Sequence, residues 1–204
     1  MAVPSPLVRR LAAVVSTLGH PLVTSSAFAL VVVVGQRLRG AAAGWVIGSL
    51  LALVVAPISL WNLRQTRRGA YTNFDVSERA HRHSFYPVLL VLLGVAALGL
   101  GWQRALVPAA YRYGLLAVWV LLLVCYGLNF WLKVSLHAAL SFFLAYLLTQ
   151  LYPSWGWLAV PAAALVAASR LVLGRHALPE LLAGAALGLA AGWDLGWALL
   201  HTAP

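Results

Sequence analysis

The sequence predicts an all-α integral membrane protein, built as a bundle of six to seven transmembrane helices. The chain of 204 residues is 63% hydrophobic and only 9% charged, and its mean hydropathy is +0.90. Such a composition is far more apolar than that of a soluble domain. Apolar runs long enough to cross a bilayer alternate with short polar connectors, and tryptophan and tyrosine cluster at the ends of these runs. We therefore expect residues 1–204 to form a single membrane domain.

The N-terminal helices occupy residues 1–61. The first span is predicted at 18–36, with 6–17 as a candidate interfacial helix, and the second span at 44–61. Residues 62–84 form the longest polar segment of the chain, which predicts a loop between the second and third spans.

Five further runs form the predicted core of the bundle, from residue 85 to residue 200. The spans are predicted at 85–102, 111–132, 136–152, 157–173 and 178–200. Short or merged runs make six to seven the expected number of spans, and the tight connectors within the second half make neighbouring spans antiparallel. The last run also carries a glycine at every fourth position, a spacing typical of a closely packed helix face. These glycines are Gly184, Gly188 and Gly192.

Alternating seven spans across the membrane brings every candidate chemical group to one face, so we expect the active site at that membrane face. Its basic residues are Arg9, Arg10, Arg64, Arg67, Arg68, Arg79, Arg82, Lys133, Arg170 and Arg175. The opposite face carries Arg37, Arg39, Arg104 and Arg112. The positive-inside rule then favours a cytoplasmic site face. The excess of basic residues on this face is small. Five of its ten cations are candidates for the site itself, and the remaining five stand against four on the opposite face.

The charge of the chain narrows the class of partner. The formal net charge of +10 comes from 14 lysines and arginines against four acids. These basic residues lie in loops between apolar runs, which speaks against nucleic acid as a partner. Membrane lipids with anionic headgroups, or an anionic substrate, suit the pattern better. The sequence contains no signal that reports the oligomeric state.

Two segments place cationic and imidazole groups at the ends of apolar runs. They are 133–137, Lys-Val-Ser-Leu-His, and 169–176, Ser-Arg-Leu-Val-Leu-Gly-Arg-His. A cation at the centre of a bilayer costs roughly 2.5–3.5 kcal/mol, so cations kept beside spans indicate a function. Two imidazoles, a serine hydroxyl and several guanidiniums can bind and cleave a phosphate ester, since arginine offers a bidentate fork to phosphate oxygens. Predicted helix starts near Ser135 and Pro179 would add two positive dipole ends.

At these residues the chain resembles the type-2 phosphatidic acid phosphatase superfamily, which includes membrane lipid phosphatases and vanadium haloperoxidases. The third signature of that family, Ser-Arg-x5-His-x3-Asp, is matched by Ser169, Arg170 and His176, with Glu180 in place of the aspartate. The second signature, Pro-Ser-Gly-His, is matched at two of its four positions. These are Ser135 and His137, with Val134 for the proline and Leu136 for the glycine.

The first signature of the family, Lys-x6-Arg-Pro, is matched only in part. Arg82 stands at the arginine, His83 replaces the proline and Asp75 replaces the lysine. The segment 75–82 is similar to a bacterial subgroup that reads Asp-x-Ser-Asp-Arg-x-x-Arg there. The resemblance covers about 75–192 and implies an integral protein of a bacterial plasma membrane.

The resemblance implies hydrolysis of a lipid phosphomonoester or diphosphate without metal or other cofactor. The substrate would be of the phosphatidic acid, phosphatidylglycerophosphate or polyprenyl phosphate type. His176 would be the nucleophile and form a phosphohistidine. His137 would protonate the leaving alkoxide, and Glu180 would hold His176 in its reactive tautomer.

The resemblance also implies which groups bind the phosphoryl oxygens of the lipid phosphate substrate. Arg82, Arg170 and Ser135 occupy the family's phosphate-binding positions and would stabilise the charge that develops there. The missing lysine removes one contact, which either Lys133 or Arg79 could supply.

Two other functions remain open from the sequence. One is a metal-dependent membrane hydrolase that uses the histidines, although four acids in the whole chain make a carboxylate cluster for a hard metal improbable. Its candidate ligands are His81, His83, His137 and His176. The other is a non-catalytic protein that binds or transports lipid phosphates with a degenerate phosphatase pocket. Taken singly, Arg170 and Arg175 could be snorkelling anchors, and Ser135 could be a simple N-cap.

Overall fold

The computed structural model describes residues 4–103, 105 and 107–202, and regular structure over these residues is helical, without strands. The predicted helical class is therefore confirmed. Arg104, one of the cations assigned to the face opposite the site, lies outside the described residues. Each of the seven predicted apolar runs folds as helix. The helices are α1 Pro6–Leu18, α2 Pro21–Gly35, α3 Gly40–Ser49, α4 Ala56–Arg67, α5 Arg79–Trp102, α6 Ala109–Leu128, α7 Leu136–Leu151, α8 Ala159–Val172 and α9 Leu178–Thr202.

Fewer helices than expected are long enough to be spans. Four are long and apolar enough to cross a membrane: Gly40–Arg67, Arg79–Trp102, Ala109–Leu128 and Leu178–Leu199. A fifth would be the pair α1 and α2, which is bent by 52°. The stretches Leu136–Leu151 and Gly156–Val172 are apolar but shorter, because turns at Tyr152–Trp155 and Gly174 end their helices early. Length and composition thus give four or five spans among the described residues, not six to seven.

The predicted loop 62–84 is wrong at both ends. α4 runs on to Arg67 and α5 begins at Arg79, so that only 68–78 is non-helical. The loop residue Tyr71 supplies hydrogen bonds to both flanking helices. Its Oη accepts from Trp61 Nε1 of α4 at 3.2 Å and lies 2.9 Å from Ser84 Oγ of α5. The polar composition of this segment therefore reflects hydrogen bonding between helix ends and loop.

The chain forms two compact units. Unit 1 holds the residues up to Thr24 together with those from Phe130 onward, and unit 2 holds Ser25–Asn129. In unit 1, α7 packs against both α8 and α9, and α1 packs against α8. Within unit 2, α5 packs against α6. A π-helical stretch, Leu50–Val55, joins α3 to α4.

The predicted close-packed face of α9 is confirmed. A Cβ atom at Gly184 would lie 2.6 Å from the carbonyl oxygen of Ser135, and one at Gly188 would overlap the carbonyl of Ala139. Because only glycine leaves this space, the N-terminal half of α9 lies directly against the start of α7. This close approach sets the distance between the two segments that carry the candidate site.

Candidate active site

The start of α7 carries two of the predicted site residues. Ser135 is fully buried and acts as the N-cap, since its Oγ accepts from the backbone N–H of Ala138 at 3.4 Å. Its own N–H donates to the carbonyl oxygen of Glu180 at 3.1 Å, which ties α7 to the start of α9. His137, also buried, lies in the first turn of α7. The N-cap role of Ser135 is therefore real, and its position also places the hydroxyl at a helix N-terminus.

The end of α8 carries the next pair. Ser169 donates from Oγ to the carbonyl oxygen of Val166 at 2.6 Å. Arg170 is only 1% exposed, and it donates from Nη1 to Ser16 Oγ at 2.7 Å. A snorkelling arginine keeps its guanidinium in water, so the burial of Arg170 argues against the anchor role. Arg170 instead lies buried at the end of α8 and is hydrogen-bonded to α1.

A Schellman turn links Arg170 to His176. Gly174 adopts the left-handed conformation with φ of 65°, and its N–H donates to the carbonyl oxygen of Leu171 at 2.9 Å. The N–H of Arg175 donates to the carbonyl oxygen of Arg170, also at 2.9 Å. The turn reverses the chain direction within a few residues, so Arg170 and His176 lie at the two ends of a tight connector.

The start of α9 holds His176. Its Nδ1 lies 2.8 Å from Oε2 of Glu180, and the side chain of His176 is fully buried. The same carboxylate oxygen accepts from the backbone N–H of Ala177 at 3.1 Å, which caps α9. An ionised carboxylate at Nδ1 requires that atom to carry the proton, which leaves the lone pair on Nε2. Glu180 thus fixes both the orientation of the ring and the atom that can react.

Lys133 approaches the same carboxylate. Its Nζ donates to the carbonyl oxygen of Arg175 at 2.8 Å and lies 3.9 Å from Oε2 of Glu180. Its ammonium therefore sits beside the residues that hold His176. Unit 1 thus contains six of the eight predicted site residues: Lys133, Ser135, His137, Arg170, His176 and Glu180.

The remaining two, Arg79 and Arg82, belong to unit 2. Arg82 is buried in the first turn of α5, and its Nε donates to the carbonyl oxygen of Val76 at 3.1 Å. Val76 has a φ of 48°, an uncommon conformation for a β-branched residue that recurs at functional sites. Arg79 donates from Nε to the carbonyl oxygen of Asn129 at 2.7 Å. Both arginines are thus held by backbone carbonyls of their own unit.

Two polar residues of unit 1 that sequence reasoning did not assign also touch the site. Ser16 of α1 is buried and accepts from Arg170, and the ring of His20 meets the ring of His137 edge-on. The sequence offers only weak indications of these two residues. Ser16 shares the buried face of α1 with Ala12, and His20 directly precedes the proline that starts α2.

Comparisons with protein-family models, curated proteins and solved structures find no match. Membership of the phosphatase superfamily is therefore a proposal. Its support is the order and spacing of the signature residues, together with the hydrogen bond that joins Ser135 of the second signature to Glu180 at the end of the third.

Proposed function

We propose that the protein is a membrane-embedded lipid phosphatase that hydrolyses a lipid phosphomonoester or diphosphate through a phosphohistidine. The observation that carries the proposal is the buried pair of His176 and Glu180, 2.8 Å apart, at the junction of the ends of α7, α8 and α9. A nucleophilic imidazole needs a fixed tautomer, and this pair supplies it.

The first chemical step forms the phosphoenzyme. Nε2 of His176 attacks phosphorus in line, the bond from phosphorus to the lipid oxygen breaks, and His137 gives its proton to that oxygen. Arg170, and the hydroxyl of Ser135 at the start of α7, stabilise the phosphoryl oxygens. Glu180 stabilises the positive charge that the ring acquires on phosphorylation.

The second step regenerates the enzyme. His137, now neutral, takes a proton from water while the water oxygen attacks phosphorus and the bond to Nε2 of His176 breaks. Inorganic phosphate leaves, and both imidazoles return to their starting protonation states. No metal is needed in either step, since the guanidinium of Arg170 and the hydroxyl of Ser135 stabilise the developing charge.

The membrane arrangement belongs to the same proposal. The protein is proposed to reside in a bacterial plasma membrane, with α7 and α8 crossing it in addition to the longer helices and with the site at its cytoplasmic face. In support, the start of α7, the end of α8 and the start of α9 lie together in unit 1, as the alternation of antiparallel spans requires.

The test is release of phosphate from a panel of lipid phosphates by the purified protein in detergent with a chelator present. Phosphatidic acid, phosphatidylglycerophosphate, polyprenyl phosphate and polyprenyl diphosphate make up the panel. We expect turnover of at least one substrate and a loss of about 10³-fold or more in His176→Ala, because the nucleophile is gone. Wild type quenched in alkaline detergent, but not the variant, should retain labelled phosphate on histidine, because the phosphorus–nitrogen bond survives alkali and is cleaved by acid.

His83→Ala is the matched control, because His83 is an exposed histidine of α5. It should keep wild-type turnover. Activity that disappears with chelator, returns with zinc and falls in His83→Ala would favour the metal-dependent hydrolase instead. Stoichiometric binding of a lipid phosphate without turnover would favour the degenerate binding protein, and full activity in His176→Ala would refute the mechanism.

A further inference from the structure

The end of α1 lies outside the three signatures, yet it approaches α8 unusually closely. α1 ends at Leu18, and the N–H of Gly19 donates to the carbonyl oxygen of Val15 at 2.8 Å. A Cβ atom at Gly19 would overlap both methyl groups of Val166. Since Val166 lies one helical turn before Arg170 on α8, this contact fixes the end of α1 beside the guanidinium.

Ser16 completes that contact with a hydrogen bond. Its Oγ accepts from Nη1 of Arg170 at 2.7 Å, and both side chains are buried. A hydrogen bond to a buried charged group is stronger than one between neutral groups, because a full charge attracts the acceptor in an interior of low dielectric constant. Ser16 therefore restrains the guanidinium plane before any substrate arrives.

His20 makes the second contact, four residues further on. Its Nδ1 accepts from the backbone N–H of Leu22 at 3.2 Å, which places the proton of the neutral ring on Nε2. The ring centroid lies 5.2 Å from that of His137, with the planes at 89°. This edge-to-face packing restricts rotation of the His137 ring.

We propose that Ser16 and His20 are positioning residues of the active site, holding Arg170 and His137 in the geometry of the transition state. The inference rests on the proposed phosphatase function and extends it to a segment that carries none of the signatures. Preorganised groups need not rearrange as charge develops in the transition state. The contacts that Ser16 and His20 make therefore act on the rate of the chemical step.

The first experiment compares Ser16→Ala with Thr17→Ala, a variant of the exposed neighbour whose hydroxyl donates to the carbonyl oxygen of Ala13. Inhibition by orthovanadate, a mimic of the five-coordinate phosphorus, is measured alongside kcat/KM. We expect the inhibition constant to rise about tenfold in Ser16→Ala and to stay within about twofold in Thr17→Ala. This constant does not depend on the fraction of folded protein, so a merely structural role would leave it unchanged.

Ser16→Cys provides a second variant that leaves no cavity and replaces the hydroxyl with a weak acceptor. It should weaken vanadate inhibition in the same direction as Ser16→Ala.

The second experiment uses His20→Asn. Asparagine can accept from the N–H of Leu22 as Nδ1 does, so the start of α2 keeps its cap while the ring contact with His137 is lost. A misplaced general acid matters for an alkoxide leaving group and hardly at all for p-nitrophenolate. We expect kcat/KM, which reports formation of the phosphoenzyme and not its hydrolysis, to fall about tenfold with the lipid substrate and to change less than about twofold with p-nitrophenyl phosphate.

The outcomes separate this inference from the proposed function. If the wild type releases no phosphate from any substrate, the phosphatase proposal fails. If the wild type is active but Ser16→Ala and Ser16→Cys keep the wild-type inhibition constant for vanadate, and His20→Asn lowers kcat/KM equally for both substrates or for neither, then the inference on α1 is wrong while the phosphatase proposal stands.

Discussion

Glu180 combines two tasks that usually fall to separate residues. One carboxylate oxygen accepts from the N–H of Ala177 and lies 2.8 Å from Nδ1 of His176. The side chain reaches the ring because positions 176 and 180 are separated by about one helical turn.

Glu180→Gln is expected to lower kcat about 10²-fold or more. Glutamine can still accept from the N–H of Ala177, so α9 keeps its cap, but the negative charge that stabilises a phosphorylated ring is lost. Steady-state phosphate release in detergent measures the effect. Asp194→Asn, which changes an exposed acid of the same helix, should keep wild-type turnover. An equal loss of kcat in the two variants would contradict the role of Glu180 in stabilising His176.

Individual contacts were predictable from the sequence only where they are local. The contact of Glu180 with His176 spans four residues and the Ser135 cap spans three, so signature spacing and helix rules predicted both. The bond between Ser16 and Arg170 joins residues 154 positions apart. Helical periodicity predicts that Ser16 faces inward, but it does not predict which side chain lies opposite. The partner Arg170 could therefore be identified only in the folded chain.

At the scale of helices, the N-terminal half of α9 has no room for side chains on the face that meets α7. Gly188→Ala would place a methyl group on the carbonyl of Ala139, and α7 would have to shift. We expect a loss of about 1–3 kcal/mol in the free energy of unfolding, typical of overpacking. The midpoint of thermal unfolding in detergent should fall by several degrees.

Gly196→Ala is the matched control on the same helix. Its Cβ would find the ring of Tyr146 at 3.5 Å, an ordinary van der Waals distance. The midpoint should then stay the same or rise slightly, because alanine is the better helix former. Equal stability of the two variants would mean that α7 and α9 are further apart than described.

The helices were more predictable than their ends. Apolar composition located every run, because burial in lipid or protein requires apolar side chains over the whole length. The ends depend on particular hydrogen bonds, and these extended α4 and α5 into the polar segment. Asn62, for example, stays helical while its Nδ2 donates to the carbonyl oxygen of Phe74 at 3.1 Å. Composition alone counted such residues as loop.

For the whole molecule, the number of membrane crossings depends on the lengths of α7 and α8. With a rise of about 1.5 Å per residue, the 16 residues of α7 extend about 24 Å and the 14 residues of α8 about 21 Å. The hydrocarbon core is about 30 Å thick. The two helices either cross a locally thinned bilayer, with tryptophans at the turn anchoring its far side, or enter and return from one face.

Cysteine labelling distinguishes these two arrangements. The single native thiol, the buried Cys125, is replaced by alanine, and Ser154→Cys or Ala177→Cys is introduced at an exposed position beyond either end of α8. A membrane-impermeant maleimide is then applied to intact cells and to inside-out vesicles. If α7 and α8 cross, position 154 labels only in cells and position 177 only in vesicles, since the positive-inside rule favours a cytoplasmic site face. Protection of position 154 in both preparations would mean that α7 and α8 form a re-entrant pair, and the reverse labelling pattern would place the site outside.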